Sequence, residues 1–218
     1  MNEVNNNMNR EQLKLYAVTD RSWLGNETLY GQVEKAIKGG ATMVQLREKE
    51  LDGAAFRQEA EDIIKLCRKY QVPFIVNDNV ELAKSIGADG VHIGQSDMEL
   101  ARARELLGQD AIIGVTAKTV EQAKAAEAGG ADYLGSGAVF GSSTKLDAKP
   151  MDHALLQEIC ESVHIPVVAI GGITGENVME LAGRGMAGVA VVSGIFACPD
   201  IEAGTRKLRE LVEQMVES

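Results

Sequence analysis

From Leu13 onward the chain alternates short apolar runs with amphipathic stretches, the pattern of repeated βα units feeding a parallel sheet. The predicted strands are Leu13 to Thr19, Met43 to Arg47, Pro73 to Asn77, Gly90 to Gly94, Ala111 to Thr116, Tyr133 to Val139, Pro166 to Gly171 and Gly188 to Ser193. Between them apolar residues recur at three- and four-residue spacing, as in Phe56, Ala60, Ile63, Ile64 and Cys67, which predicts amphipathic helices. The same spacing covers Leu100 to Leu107, Val120 to Ala128, Leu155 to Val163, Val178 to Ala182 and the terminal Leu208, Leu211, Val212 and Met215.

A Gly-Ala-like turn precedes every even strand: Gly39-Gly40-Ala41, Gly87-Ala88-Asp89, Gly129-Gly130-Ala131-Asp132 and Gly185-Met186-Ala187. Glycine there predicts a left-handed cap on the preceding helix. Eight βα units in 218 residues, undivided by any linker, approach the minimum size of a closed (β/α)8 TIM barrel of the α/β class. A doubly wound open sheet is the alternative. The first βα turn, Thr19-Asp20-Arg21-Ser22, lacks the GxGxxG signature and no GxxxxGK[ST] occurs, which argues against it. The expected organisation is a disordered tail over residues 1–12 and one barrel domain over 13–218, with any active site at the C-terminal ends of the strands.

Composition removes other classes. With 45% hydrophobic and 25% charged residues the chain is of ordinary globular type. A formal net charge of −10 disfavours binding to nucleic acid or to an anionic membrane surface. The asparagine-rich start is no signal peptide and no later run is long enough to span a membrane, so a cytoplasmic location is expected. Cys67, Cys160 and Cys198 lie far apart without a CxxC, reading as buried free thiols, and His92, His153 and His164 have no metal-ligand spacing. A homo-oligomer is compatible with the sequence but nothing specifies one.

Polar residues cluster at the predicted strand ends. In Val44-Gln45-Leu46-Arg47-Glu48-Lys49 the strand period of two puts Gln45, Arg47 and Lys49 on one face and Val44 and Leu46 on the other. The apolar face must meet the helices, so the polar triplet points into the barrel mouth. Two cations there require an anion or a carboxylate, either a ligand or an internal salt-bridge layer. Asp78, in Asn77-Asp78-Asn79, and Asp97, after Ser96, suit helix capping or a Mg²⁺ ion bridging diphosphate oxygens. Ser142, Ser143, Thr144 and Lys145 lie in a hydroxyl-rich loop that reads as an anion-binding lid or a solvated loop. Gly171-Gly172 and Ser193-Gly194 occupy the usual phosphate position of such barrels, or are simple turns. His92 alternates with Val91 and Ile93, which places it in the lumen as a hydrogen-bonded interior histidine.

Taken in order, Tyr16-Ala17-Val18-Thr19-Asp20, Gln45-Leu46-Arg47-Glu48-Lys49, Asn77-Asp78-Asn79, Gly90 to Asp97, Ser143-Thr144-Lys145, Ala169 to Ile173 and Val191-Val192-Ser193 resemble the thiamine phosphate synthase family. The resemblance runs from Leu13 to about Ala197. It implies a transferase of thiamine biosynthesis that joins a hydroxymethylpyrimidine diphosphate to a thiazole phosphate, releasing pyrophosphate, with Mg²⁺ as cofactor. It further implies that Gln45, Leu46, Arg47, Glu48, Lys49 and Asn77 contact the pyrimidine diphosphate, with Arg47 and Lys49 on its phosphates. Asp78 and Asp97 would hold Mg²⁺, Thr116 would sit by the pyrimidine, and Lys145 by the diphosphate. Ser142, Ser143, Thr144, Gly172, Val192 and Ser193 would surround the thiazole phosphate.

The chain departs from the family pattern at Thr116, where serine is usual, at Lys118, where histidine is common, at Ala138 and Gly141, where prolines usually stand, and at Ser142, where threonine is usual. The related thiazole tautomerases lack the two metal acids and use a histidine at the position of Lys118, so the resemblance favours the synthase. A barrel that binds a phosphometabolite without turnover would not need both acids opposite Arg47, Lys49 and Lys145. A Schiff-base aldolase would need a desolvated, neutral lysine, whereas Lys49 and Lys145 are placed as phosphate-binding cations.

Overall fold

A computed structural model of the chain describes residues 8–141 and 150–218. Eight parallel strands close into a barrel in sequence order: β1 (Leu15–Val18), β2 (Met43–Leu46), β3 (Phe74–Asn77), β4 (Gly90–Ile93), β5 (Ile112–Thr116), β6 (Tyr133–Gly137), β7 (Val167–Ile170) and β8 (Gly188–Val191). Each is a little shorter, at one end or both, than the apolar run that predicted it.

The helices outside the barrel are α1 (Leu29–Lys38), α2 (Gly53–Tyr70), α3 (Val80–Ile86), α4 (Leu100–Leu107), α5 (Val120–Ala128), α6 (His153–Ser162), the short α7 (Ser193–Phe196) and the terminal α8 (Ile201–Glu217). The helix expected over Val178 to Ala182 is instead a 3-10 turn, Val178–Leu181. The seven residues between Gly175 and Gly183 are too few to repay the nucleation of an α-helix.

Residues 8–12, expected to belong to a tail, pack against the barrel. Met8 is 5% exposed and Arg10–Leu13 forms a 3-10 turn whose Leu13 is fully buried. Met8 and Leu13 join Tyr16, Val18, Met43, Ile75, Tyr133 and Val168 in a core inside the barrel, separate from the larger core between strands and helices. The apolar side chains thus recover at the barrel floor the burial that the asparagine-rich composition obscured.

The Gly-Ala turns perform a second task at the N-terminal ends of the strands. Gly87 and Gly130 take the left-handed φ that ends a helix, and the next polar residue turns back to the preceding strand. Asp89 accepts from the N–H of Phe74, Asp132 from Ile113, and Thr42 from Leu15, at 2.8, 2.7 and 2.9 Å. Three of the four recurring turns therefore set strand register as well as ending the helix.

Glycines inside the strands make room for neighbours. A Cβ on Gly114 would lie 2.1 Å from the Tyr133 ring, and one on Gly90 would lie 1.9 Å from the Ile112 carbonyl oxygen. Gly90 pairs with Ile112 in the β4–β5 ladder, so relief would require moving backbone. Gly90→Ala is expected to cost about 3 kcal/mol and lower Tm by roughly 6–12 °C. A melting curve within about 2 °C of wild type would contradict this account of the ladder.

Candidate active site

A cavity of about 680 Å³ opens at the C-terminal ends of the strands. Gln45, Arg47, Lys49, Asn77, Asp78, Asp97, Thr116, Gly172, Val192 and Ser193 all line it, so residues predicted from six strand ends converge on one space. Leu46 and Glu48 do not line it. Leu46 is fully buried in the helix-side core, and Glu48 points its carboxylate at Arg21, 2.6 Å away. Strand alternation turns both side chains outward, away from the cavity. Ser142, Ser143, Thr144 and Lys145 lie outside the described residues.

Both cations that follow β2 already have carboxylate partners. Arg47 Nη1 donates to Asp20 Oδ2 at 2.7 Å, and Lys49 Nζ to Asp78 Oδ2 at 3.1 Å. The internal salt-bridge arrangement is thus present, yet the Lys49 side chain is 56% exposed and borders open cavity. An incoming anion reaches it without unpacking the core.

Capping is settled by the hydrogen bonds. Asn79, not Asp78, caps α3, its Oδ1 accepting from Leu82 N at 2.9 Å. Asp97 caps no helix; its Oδ2 accepts from Gly94 N at 2.7 Å and holds the turn after β4. Asp78 has φ +61°, a left-handed conformation uncommon for a non-glycine residue, and its N–H is held by the His92 carbonyl at 2.9 Å. Burial pushes the Asp78 carboxyl up; the Lys49 ammonium opposes this, and the neighbouring Asp97 carboxylate adds to it. Two like charges at one place make a donor set suited to a divalent cation. Among the described residues no group of three or more His, Cys, Asp or Glu converges, so the pair would leave further coordination positions to other oxygens.

Below the mouth, an unbroken chain of side-chain hydrogen bonds crosses the lumen. Gln45 Nε2 donates to Tyr16 OH at 2.6 Å, Tyr16 OH meets Tyr133 OH at 2.9 Å, and Tyr133 OH meets His92 Nδ1 at 3.1 Å. His92 Nε2 then meets Thr116 Oγ1 at 3.0 Å. His92 is therefore the hydrogen-bonded interior histidine expected from its alternation. Burial drives both tyrosine hydroxyls far above the ordinary phenol range, so they serve as neutral hydrogen-bonding groups. Tyr16 and Tyr133 were not singled out from the sequence, although Tyr16 shares the lumenal strand face with Val18. Lys118, which departs from the family pattern, also lines the cavity. Among the described lining residues Arg47, Lys49 and Lys118 face Asp78 and Asp97, so the cavity is more positive than the whole chain.

No thiol takes part. Cys67 and Cys160 lie among apolar side chains outside the cavity, and burial pushes each thiol up to about 12. An unfolded thiol ionises near 8.5. A raised folded value means stability is fully present below that pH and falls as pH rises towards about 12. A disulfide reagent at pH 8 is expected to leave the buried Cys67 unmodified in the native protein, and rapid labelling of it would refute its burial.

A TIM barrel with a two-signed polar cavity at the C-terminal mouth of its strands defines the class of this protein. The family model described as thiamine monophosphate synthase matches residues 15–195. A thiamine-phosphate synthase of Clostridium acetobutylicum is 47% identical over 207 residues, covering 95% of this chain and 98% of the relative. Thiamine-phosphate synthase 2 of Streptococcus pneumoniae is 46% identical over 199 residues, covering 91% and 95%. Among solved structures, thiamine phosphate pyrophosphorylase from Pyrococcus furiosus superposes with a TM-score of 0.87 at 38% identity, over 95% of this chain and 98% of that one. The chain belongs to the thiamine monophosphate synthase family.

Proposed function

We propose that this chain is a transferase that condenses 4-amino-2-methyl-5-hydroxymethylpyrimidine diphosphate with a thiazole phosphate, giving thiamine phosphate and pyrophosphate. The observation that carries the reading is the convergence of Arg47, Lys49, Asp78 and Asp97 on one cavity, in a chain so similar to proteins named for this reaction. Asp78 and Asp97 would hold Mg²⁺, which when bound supplies positive charge to the diphosphate oxygens.

Arg47 and Lys49 draw the diphosphate to the β2 side of the mouth and neutralise it as it leaves. Lys145 is assigned the same task. The C–O bond then breaks with both electrons leaving on the diphosphate, and the electron-rich aminopyrimidine carries the resulting methylene cation. The thiazole nitrogen gives its lone pair to that carbon. Orientation does most of the work, so the absence of an activated cysteine or serine from the described cavity lining is in keeping with the chemistry.

Gln45 and Thr116, at the two ends of the lumenal hydrogen-bond chain, are the groups set to hold the pyrimidine ring, with Asn77 beside them. Gly172, Val192 and Ser193 line the far wall from β7 and β8, where barrels of this kind take phosphate. Ser142, Ser143 and Thr144 are assigned to the thiazole phosphate with them. Among the described residues no helix is long and apolar enough to cross a membrane.

The test supplies both substrates with Mg²⁺ and follows thiamine phosphate and pyrophosphate. Stoichiometric formation of the two products supports the synthase. Folded protein that forms neither, or that only isomerises the thiazole, overturns it.

A further inference from the structure

We propose that Arg21 is a positioning residue for diphosphate binding, acting through the Glu48 carboxylate and braced by Glu59. The inference rests on the functional reading above. The end of β1 meets the end of β2 with reversed charge: Asp20 holds Arg47, and the next residue, Arg21, holds Glu48. Thr19 joins the two backbones between them, its Oγ1 accepting from Arg47 N at 3.0 Å and its N–H reaching the Gln45 carbonyl at 2.9 Å.

Glu48 divides its two oxygens. Oε2 takes Arg21 Nε at 2.6 Å. Oε1 accepts the backbone N–H groups of Lys49, Glu50 and Leu51, so one carboxylate sets the path of the chain as it leaves β2. The Glu48 side chain is only 1% exposed. Burial raises its carboxyl, but the hydrogen bonds from Glu50, Arg21 and Leu51 outweigh this and hold it below the ordinary carboxylate range.

Arg21 is in turn held from α2. Its Nη2 donates to Glu59 Oε1 at 2.8 Å. Burial pushes the Glu59 carboxyl up against the pull of Arg21, with Glu48 adding to the rise. The fork thus ties the β1 end, the β2–α2 turn and α2 together, and a lysine ammonium cannot span both acids in that geometry.

The consequence lies at Lys49. Its side chain is long and largely exposed, so its reach is decided by where its backbone starts, and that start is set by Glu48. Loosening Glu48 spreads Lys49 over more positions and weakens attraction for the diphosphate, while the β7–β8 wall assigned to the thiazole phosphate is untouched.

The experiment compares Arg21→Met, Arg21→Lys and Glu59→Gln with wild type. It measures KM for each substrate, the Kd of inorganic pyrophosphate with Mg²⁺ by calorimetry, and Tm. Arg21→Met is expected to raise the pyrimidine diphosphate KM and the pyrophosphate Kd about tenfold, with the thiazole phosphate KM within about twofold. Arg21→Lys keeps the charge without the fork and is expected about midway, and Glu59→Gln, which keeps an acceptor, within about threefold of wild type. Equal rises in both KM values, or a lower Tm with unchanged pyrophosphate Kd, would make the cluster merely structural and overturn the proposal. If Arg21→Met does not fold, a pyrophosphate Kd for Arg21→Lys within twofold of wild type overturns it. Wild-type protein without turnover would overturn the functional reading instead, and the pyrophosphate Kd would still decide the role of Arg21.

Discussion

Asp97→Asn is expected to lower turnover by about a thousandfold while leaving the barrel folded. The change is isosteric, and the amide oxygen can still accept the Gly94 N–H that holds the turn after β4. What disappears is one negative charge beside Asp78. The protein then offers a single carboxylate to a divalent cation, so the Mg²⁺ concentration for half-maximal rate should rise and the diphosphate should be less well neutralised. Steady-state kinetics across a Mg²⁺ titration, with a melting curve alongside, checks this. A wild-type rate at ordinary Mg²⁺ would remove Asp97 from the site, and a collapsed melting transition would show that its turn bond matters more than its charge.

Arg47→Ala is expected to reduce kcat/KM for the pyrimidine diphosphate by about a hundredfold or more. Here a stability effect accompanies the activity effect, because Asp20 loses its partner. The Arg47 and Asp20 side chains are 18% and 11% exposed, so orphaning the acid is expected to cost about 1–2 kcal/mol, less than for a fully buried pair. Adding Asp20→Asn separates the two. An amide at residue 20 keeps an oxygen for the Ser22 N–H bond but carries no unpaired charge. The double variant should regain most of the lost stability and none of the lost activity. Recovery of activity in the double variant would mean that Arg47 serves the fold rather than the diphosphate.

The predicted strands and the polar face of β2 were legible because both are short-range. A strand's period of two follows from its own backbone, so Gln45, Arg47 and Lys49 had to share the face opposite Val44 and Leu46. The glycine turns before the even strands were legible for the same reason, since a positive φ is a local demand. Alternation also marked Leu46 as facing away from the mouth, although the resemblance grouped it with the substrate contacts.

The opening asparagine run misled where local composition and distant packing disagree. Met8 looked like part of a polar tail, yet the barrel floor buries it against Leu13 and Tyr16. The overall charge of −10 was similarly uninformative about the cavity, because at contact distance the placement of Arg47, Lys49 and Lys118 outweighs the sum over the surface.

By itself, then, the sequence determined the βα alternation, the closed-barrel class, the strand-end residues and, through motifs in order, the family. Only the tertiary structure decided which of those residues meet. It pairs Tyr16 with Tyr133 across 117 positions of chain, links Gln45 to Thr116 through them and His92, and sets Asp78 against Asp97 with neither used as a helix cap. It also gathers Arg21, Glu48 and Glu59, although the resemblance marked only Glu48, and that as a substrate contact. The physical reason is that such pairs exist only once the sheet has closed and its register has put the ends of distant strands side by side, a condition that no local pattern of residues encodes.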